Sequence, residues 1–362
     1  MSKNILIICY HHGLGDIISL TVLINSLKLN YSNSNIILLV RENTNTDIFR
    51  FIPAVNRVIK SKNDRSSLIR TTLREIRKLK IDIALHCHAE RWFTSSVISF
   101  LSGARIRIGY NKKHQGFLNT NTIEFNYDVS IHRQNIPIVE YYYKLLEPLN
   151  LSRISGEKKL IIPPMIHEWL NTYLISNQLK NKLTIGIHPG CDSKGKGKRW
   201  SIENFIELIN YILLKYSDAV VLIFIGPDEL DLEIQFSERL KSPKYIIIKN
   251  SLEKIIALVS VCSIIVCNDS FLLHVSQALG SRTIAIFGPT NHILQKSNTK
   301  NDKIFNVFKD LECRPCWVSN PVICKYNDFR CLGKITVEEV IKVFEKVYNM
   351  ELNNYFKKVN LS

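Results

Sequence analysis

The sequence predicts an α/β fold in which parallel sheets build two domains, and three observations carry the prediction. Candidate strands such as residues 263–267 are almost wholly apolar, the pattern of a strand buried on both faces. Such strands alternate with amphipathic stretches of helical period through both halves of the chain, as crossover connections between parallel strands require. The stretch 249–291, KNSLEKIIALVSVCSIIVCNDSFLLHVSQALGSRTIAIFGPTN, runs helix, strand, polar turn, helix, strand and glycine turn without a break, one βα unit of the kind found in nucleotide-binding domains. With 362 residues, 46% of them hydrophobic, the chain has material for a core in each of two domains.

In the first half the expected order is a strand at 4–9, a helix at 17–29, a strand at 35–40, a helix within 65–80, strands at 81–86 and 105–109, and a helix at 135–149. The stretch LSRISGEKKLIIPP that follows is charged and ends in Pro163 and Pro164, and it reads as an interdomain connection dividing a domain 1–165 from a domain 166–335. The second half repeats the alternation with a strand Leu183–His188, a helix Ile202–Lys215, a strand at 219–225, a helix at 230–240 and a strand Tyr245–Ile248, followed by 249–291. In the terminal segment 336–362, a helix from Thr336 to about Tyr348 sets Val337, Val340, Ile341, Phe344 and Val347 on one face. No tandem repeat of solenoid spacing is present, and the asparagine-rich tail beyond Asn349 carries no signal.

The formal net charge of +16 is unevenly spread: residues 1–165 hold 23 Lys and Arg against 12 Asp and Glu, for +11, and residues 166–362 hold 25 against 20, for +5. Arg70, Arg74, Arg77, Lys78 and Lys80 fall on one expected helix, and Arg105, Arg107, Lys112 and Lys113 surround a strand end. Two readings stand: a solvated face that keeps the protein soluble, and a field that favours polyanionic partners such as a phosphorylated glycolipid at an anionic membrane surface. Against nucleic acid stands the lack of a recognisable binding motif or of a basic stripe interleaved with aromatics. No apolar run is long enough to span a membrane and no signal-peptide pattern is present, so the expected location is cytoplasmic. There the nine cysteines are expected to be mostly reduced, with Cys262 and Cys267 as small core residues.

Loops after the candidate strands hold the chemistry. After the first strand, Tyr10-His11-His12-Gly13-Leu14-Gly15-Asp16 offers two glycines for tight backbone geometry and close approach of a ligand, and Asp16 opens the helix as an N-cap or as a functional carboxylate. After Leu183–His188, HPGCDSKGKGKRW concentrates Lys194, Lys196, Lys198 and Arg199 among glycines. Residues 190–196 fit G-x-x-x-x-G-K, the start of a P-loop, yet the next residue is Gly197 where that motif needs Ser or Thr for magnesium. Glu229, or Asp228 beside it, ends a buried strand where a carboxylate can accept hydrogen bonds from ribose hydroxyls. Asn268, Asp269 and Ser270 reach the mouth of a helix whose first N–H groups attract anions, and Asp269 and Ser270 also suit the N-cap itself. Cys313-x-x-Cys316 with Cys324 and Cys331 has one metal-knuckle pair, and both a structural zinc or iron clasp and plain reduced thiols remain open.

Four motifs in order, GLGDIISLTVLINSLK, IGIHPG followed by KRW, the stretch 249–291, and ECRPC…CKYNDFRCLGKITVEEV, resemble glycosyltransferase family 9, the ADP-heptose:lipopolysaccharide heptosyltransferases. The resemblance covers nearly the whole chain. It implies a GT-B fold, two Rossmann-like domains facing each other across a central cleft, with acceptor mainly on the first, nucleotide-sugar on the second, and the last helix packing back on the first. It assigns Asp16 as general base towards an acceptor hydroxyl and Lys198 as the phosphate-contacting lysine. Gly13, Gly15, His188, Glu229, Ser251, Asp269, Ser270, Phe271 and His274 become substrate- or donor-binding positions, Glu229 for the ribose and Ser251 near the base. The family turn usually carries Gly where this chain has Phe271, although His274 is in register, so donor choice does not follow from the motif.

The expected reaction is inverting, needs no catalytic metal or cofactor, and has ADP-heptose as donor and a lipopolysaccharide core or related anionic glycan as acceptor at the cytoplasmic face of the inner membrane. Related heptosyltransferases often carry the four cysteines, and some hold iron there. The alternatives are a catalytically silent nucleotide-sugar or glycan-binding module, and a P-loop-like NTPase built on 190–197.

Overall fold

The computed structural model of the chain describes every residue except 1, 88–91, 111–115, 126–130, 155–156, 192, 297–302, 318–321 and 360–362. The chain divides into two compact units, Met1–Ile161 with Leu294–Lys300, and Ile162–Ile293 with Asn301–Ser362. Among the described residues no helix is long and apolar enough to cross a membrane.

The first unit is built on six parallel strands, β1 (Asn4–Ile8), β2 (Asn35–Arg41), β3 (Val55–Ser61), β4 (Ile83–His86), β5 (Ile106–Tyr110) and β6 (Asn121–Ile123), in the order β3-β2-β1-β4-β5-β6. Its centre is apolar on both faces: Ile5, Leu6 and Ile7 of β1 are all buried, as are Ile36, Leu38, Leu39 and Val40 of β2. The long helix expected within 65–80 is broken into an α-helix Arg65–Thr71, a π-helical turn Thr72–Ile76 and a 3-10 turn Arg77–Leu79. At the break the Thr72 hydroxyl donates back to the Leu68 carbonyl at 2.7 Å, a bond that bends helices, and Lys80 ends the run in the left-handed region at φ 49°. Arg70, Arg74, Arg77, Lys78 and Lys80 are exposed. Arg107 is engaged locally, donating to the carbonyls of Ala104 and Leu118 at 2.8 Å each. Lys112 and Lys113 lie outside the described residues.

The second unit repeats the plan with β7 (Leu183–His188), β8 (Ala219–Phe224), β9 (Tyr245–Ile248), β10 (Ile264–Asn268), β11 (Arg282–Phe287) and β12 (Ile304–Phe308), all parallel, in the order β12-β11-β10-β7-β8-β9. Counted within each unit, both sheets follow the order 3-2-1-4-5-6 of dinucleotide-binding folds. In that plan ligands bind outside the carboxyl ends of the strands where the order reverses, here beside β1 and β4 in one unit and beside β7 and β10 in the other.

Two segments read in the sequence bear on the second unit. The division between the units falls within the stretch that ends in Pro163 and Pro164, and Pro164 opens a helix, Pro164–Ser176, because proline at the first helical position gives up an N–H that would lack a partner anyway. The last helix, Val337–Val359, runs well past Tyr348, and Val337, Val340, Phe344 and Val347 are buried in the second unit's core with Phe205, Ile209 and Ile212. At roughly 1.5–3 kcal/mol per buried side chain of this size, that face is committed to the second unit. Its start is fixed by Thr336 and Glu339, whose side chains each accept from the other's backbone N–H, at 3.3 and 3.0 Å.

Candidate active site

In the first unit the loop after β1 turns into a short helix, Leu14–Ser19, with Asp16 in its first turn. Asp16 is exposed, and its Oδ2 accepts from the Gly13 N–H at 3.0 Å. That bond closes the helix start and orients the carboxylate. Gly13 itself has φ −77° and ψ 174°, open to any residue, and a Cβ there would touch Asp16 Oδ2 at an ordinary 3.7 Å. The tight backbone expected of Gly13 is therefore not what the loop uses.

Behind this loop His12 is buried, and burial drives its imidazole towards the neutral form, against the opposing pull of the Asp16 charge and with Arg41 pushing the same way. Arg41, at the end of β2, donates to the carbonyls of His11 and His12 at 3.3 and 3.1 Å, so a cation on the neighbouring strand fixes the loop's path. Tyr142 is also buried, and burial first and the Asp16 charge second push its hydroxyl well up, which keeps it neutral.

The first unit also carries a residue to which sequence reasoning gave no role. His86, the last residue of β4, is fully buried; its Nε2 lies 3.2 Å from Ser96 Oγ and 3.3 Å from Asn119 Nδ2. Burial lowers its imidazole to about 3, against the Asn119 hydrogen bond. Gly109 on β5 makes room for the ring, since a Cβ there would sit 1.7 Å from Nε2. The pairing of a strand-end histidine with a glycine on the next strand is the signal that could have found it.

In the second unit the predicted residues gather along one sheet edge. Lys198 ends the 3-10 segment Ser193–Lys198 after β7; its Nζ donates to the Asp269 carbonyl at 3.1 Å and stands 3.6 Å from Asp269 Oδ2. Asn268, buried at the end of β10, locks the same corner. Its Oδ1 accepts from the Trp200 N–H at 3.0 Å and its Nδ2 donates to the Pro189 carbonyl at 2.7 Å. Trp200 is anchored in turn by its indole N–H, which donates to the Ile335 carbonyl at 2.9 Å. The KRW motif thus aims its lysine with a buried tryptophan.

Ser270 holds the N-cap position of the helix Phe271–Leu279 but makes no capping bond with its side chain, contrary to the capping role open to it. Its Oγ is buried and has no hydrogen-bond partner among the described residues, and the same holds for Thr290 Oγ1 after β11. Leaving such a group unmade costs about 1–3 kcal/mol. Phe271 is half-buried at the helix start and His274 is buried one turn in.

Farther along the edge, Glu229 is buried after β8, its Oε2 accepting from the Gly226 N–H at 2.7 Å and its Oε1 paired with Arg199 Nη2 at 3.4 Å. Gly190 is required for this approach, because a Cβ there would lie 2.2 Å from Glu229 Cδ. Arg199, a residue the sequence reading left without a role, also donates to the Cys191 carbonyl at 2.7 Å and so ties the loop after β7 to Glu229. The Asp228 side chain lies outside the described residues. His188 Nδ1 donates to the Phe224 carbonyl at 3.0 Å, and burial lowers its imidazole to about 4, against that hydrogen bond, so it is a neutral group. Ser251 is exposed at the N-cap of the helix Leu252–Ser260, after β9.

The P-loop geometry is not formed: the helix after this loop begins at Ile202, capped by Ser201 Oγ accepting from Asn204 N–H at 3.2 Å, and Lys196 is exposed. The Lys194 side chain lies outside the described residues.

All nine cysteines are free thiols. Among the described residues no three His, Cys, Asp or Glu side chains are placed to hold a metal ion. Cys324 opens a turn closed by Asn327 N–H donating to its carbonyl at 3.2 Å, whereas Cys331 is buried in a separate helix, Arg330–Gly333, which is why their spacing supplies no second knuckle. Burial raises the Cys316 thiol, with Cys313 and Cys324 adding to it, and lifts Cys331 to about 11.

The profile of glycosyltransferase family 9 (heptosyltransferase) matches residues 69–327. Lipooligosaccharide heptosyltransferase 2 of Campylobacter jejuni is 23% identical over 340 residues, spanning 92% of this chain and 96% of the relative. Among solved structures, a family 9 glycosyltransferase from Veillonella parvula superposes with a TM-score of 0.77 at 22% identity, covering 95% of this chain and 97% of that one. The E. coli ADP-heptose lipopolysaccharide heptosyltransferase II gives 0.72 at 17% identity, covering 96% and 99%. The fold is the GT-B type, with two Rossmann-like units. The chain belongs to glycosyltransferase family 9, the heptosyltransferases, and is a glycosyltransferase.

Proposed function

We propose that the chain transfers a heptose, or a closely related sugar, from an ADP-sugar to a lipopolysaccharide-core or related glycan, with inversion at the anomeric carbon. The observation that carries this reading is the grouping of Lys198, Asp269, Ser270 and Thr290 at the adjacent ends of β7, β10 and β11, with two buried hydroxyls unpartnered beside a helix N-terminus. A cation, backbone N–H groups and hydroxyls at neighbouring strand ends match a diphosphate. The names of the relatives supply the chemical class on each side, ADP-heptose as donor and lipopolysaccharide or lipooligosaccharide as acceptor.

In this reading Asp16 accepts the proton of the acceptor hydroxyl as its oxygen bonds to the anomeric carbon. The carbon's bond to the diphosphate oxygen breaks on the opposite face, and ADP leaves with the electron pair. Lys198 and the positive end of the helix Phe271–Leu279 take up the charge that grows on the leaving oxygen. Asp269 holds the lysine, Glu229 meets the ribose hydroxyls, Ser251 borders the base, and His188 and His274 line the edge as donor contacts. Gly13 and Gly15 leave space beside Asp16 for the substrate, and Phe271 shapes the sugar side of the donor site. The charge is handled by lysine and helix dipole, and no step is routed through a metal. Docking of the exposed Arg70, Arg74, Arg77, Lys78 and Lys80 on an anionic membrane face belongs to the same proposal.

The test is kinetic. Asp16→Asn should lower kcat by about 10²–10⁴-fold while leaving the Kd for ADP-heptose near wild type. Lys198→Ala should weaken donor binding and rate together. Undiminished turnover in the first variant removes Asp16 as base, and wild-type kinetics in the second removes the lysine from the leaving-group site.

A further inference from the structure

Residues 313–317, after β12, are fastened to the edge of the second sheet by an unusual set of bonds. The Arg314 guanidinium, on which the Asp310 charge also acts, faces three backbone carbonyls. It donates through Nε to Gly288, through Nη2 to Thr290 at 2.9 Å and through Nη1 to Lys309 at 2.7 Å. Its Cζ also lies 5.0 Å from the centroid of the Phe308 ring. In return the Pro289 carbonyl accepts from the N–H groups of Cys316 and Trp317, at 3.0 and 3.1 Å. These bonds fix the backbone at 316–317 against the turn that carries Thr290.

The result is felt at Lys198, whose Nζ stands 5.5 Å from the centroid of the Trp317 ring, within cation–π range. The same ammonium donates to the Asp269 carbonyl at 3.1 Å. A lysine is a point charge on four rotatable bonds, and on its own it would sample many positions. With an aromatic face on one side and the Asp269 backbone on the other, it is confined to the corner between β7 and β10.

We infer that Trp317 is a positioning residue for Lys198, held in place by Arg314, and that it sets the ammonium against the second phosphate of the donor. The inference rests on the diphosphate role proposed for Lys198. Trp317 acts through the lysine: its ring face supplies the attraction, which phenylalanine retains in weaker form and leucine lacks.

The experiment titrates ADP and AMP into the full-length wild type, Lys198→Ala, Trp317→Leu, Trp317→Phe and the double variant Lys198→Ala/Trp317→Leu. Only ADP has the second phosphate, so the ratio of ADP to AMP affinity reads the ammonium, and general damage to the fold moves both ligands alike. Trp317→Leu should lower that ratio by about three- to thirty-fold, Trp317→Phe should recover most of it, and the double variant should be no worse than Lys198→Ala alone.

A wild-type ratio in Trp317→Leu, an equal loss for both nucleotides, or full additivity in the double variant would overturn the inference and leave the Lys198 role standing. A wild-type ratio in Lys198→Ala would instead remove the diphosphate role itself, and the inference with it. Should Trp317→Leu not fold, Arg314→Lys carries the same test, because one ammonium cannot replace the guanidinium fork. It must lower the ratio in the wild-type background and have no effect in Lys198→Ala.

Discussion

Ser270 and Thr290 set stability against binding at the level of single atoms. Each buries a hydroxyl without a partner among the described residues, a cost that a bound diphosphate would relieve. Ser270→Ala should therefore leave the thermal midpoint of the free protein unchanged or raised, while weakening ADP by about five- to tenfold. A lowered midpoint with unchanged ADP affinity would assign the hydroxyl to the fold. Gly190→Ala should displace Glu229, since the added Cβ would lie 2.2 Å from its Cδ, and weaken nucleotide binding with it. Two histidines make stability depend on pH. Burial lowers His188 to about 4 and His86 to about 3, both below the usual 6.5, so the unfolded chain binds protons that the folded chain refuses. Stability is fully present above pH 6.5 and is lost as the pH falls through 6.5 towards 4 and 3. Denaturant midpoints measured from pH 7.5 to 4 should fall on the acid side, and His188→Gln, which keeps a donor for the Phe224 carbonyl, should flatten the fall. A midpoint that rises on acidification would contradict the assignment.

The helix Val337–Val359 is the element whose packing is most exposed to test. Phe344 is fully buried in the second unit's core, and Phe344→Ala should cost about 3–5 kcal/mol in equilibrium unfolding. A cost below 1 kcal/mol would mean the helix is not part of that core. Its apolar face was legible in the residues Val337, Val340, Phe344 and Val347, but a periodic face says only that something covers it, and the neighbour is chosen by the tertiary fold. The strands overlooked in the sequence, Val55–Ser61, Asn121–Ile123 and Ile304–Phe308, share a physical reason. All three stand at sheet edges, where one side is unpaired and exposure interrupts the apolar run that marks a central strand. Tyr245–Ile248 is also an edge strand, yet its YIII run kept the signal. The helix Trp92–Leu101 was overlooked as well, its mixture of serines and apolar residues giving no clean helical stripe.

At the scale of the molecule, two sheets of identical strand order each place candidate residues at the carboxyl edge near the point where the order reverses. Asp269 and Ser270 were chosen because they follow an apolar strand, Asp16 and Lys198 mainly on the family resemblance, and each lies at such an edge. The supporting groups were not readable, because Arg199, Gly190, Arg314 and Trp317 act through contacts between loops distant in sequence. Donor class has a direct signature. A ligand present at 100 times its Kd stabilises by about 2.7 kcal/mol, so ADP-heptose should raise the thermal midpoint by several degrees where UDP- and GDP-sugars do not. The most direct test of the central claim is ADP release from ADP-heptose, followed with and without an inner-core lipopolysaccharide acceptor, with the anomeric configuration of the product read by NMR. The account predicts acceptor-dependent release, one ADP per sugar transferred, inverted configuration, and loss of all three with Asp16→Asn. Release that ignores the acceptor, a retained configuration, or full activity in Asp16→Asn would contradict it.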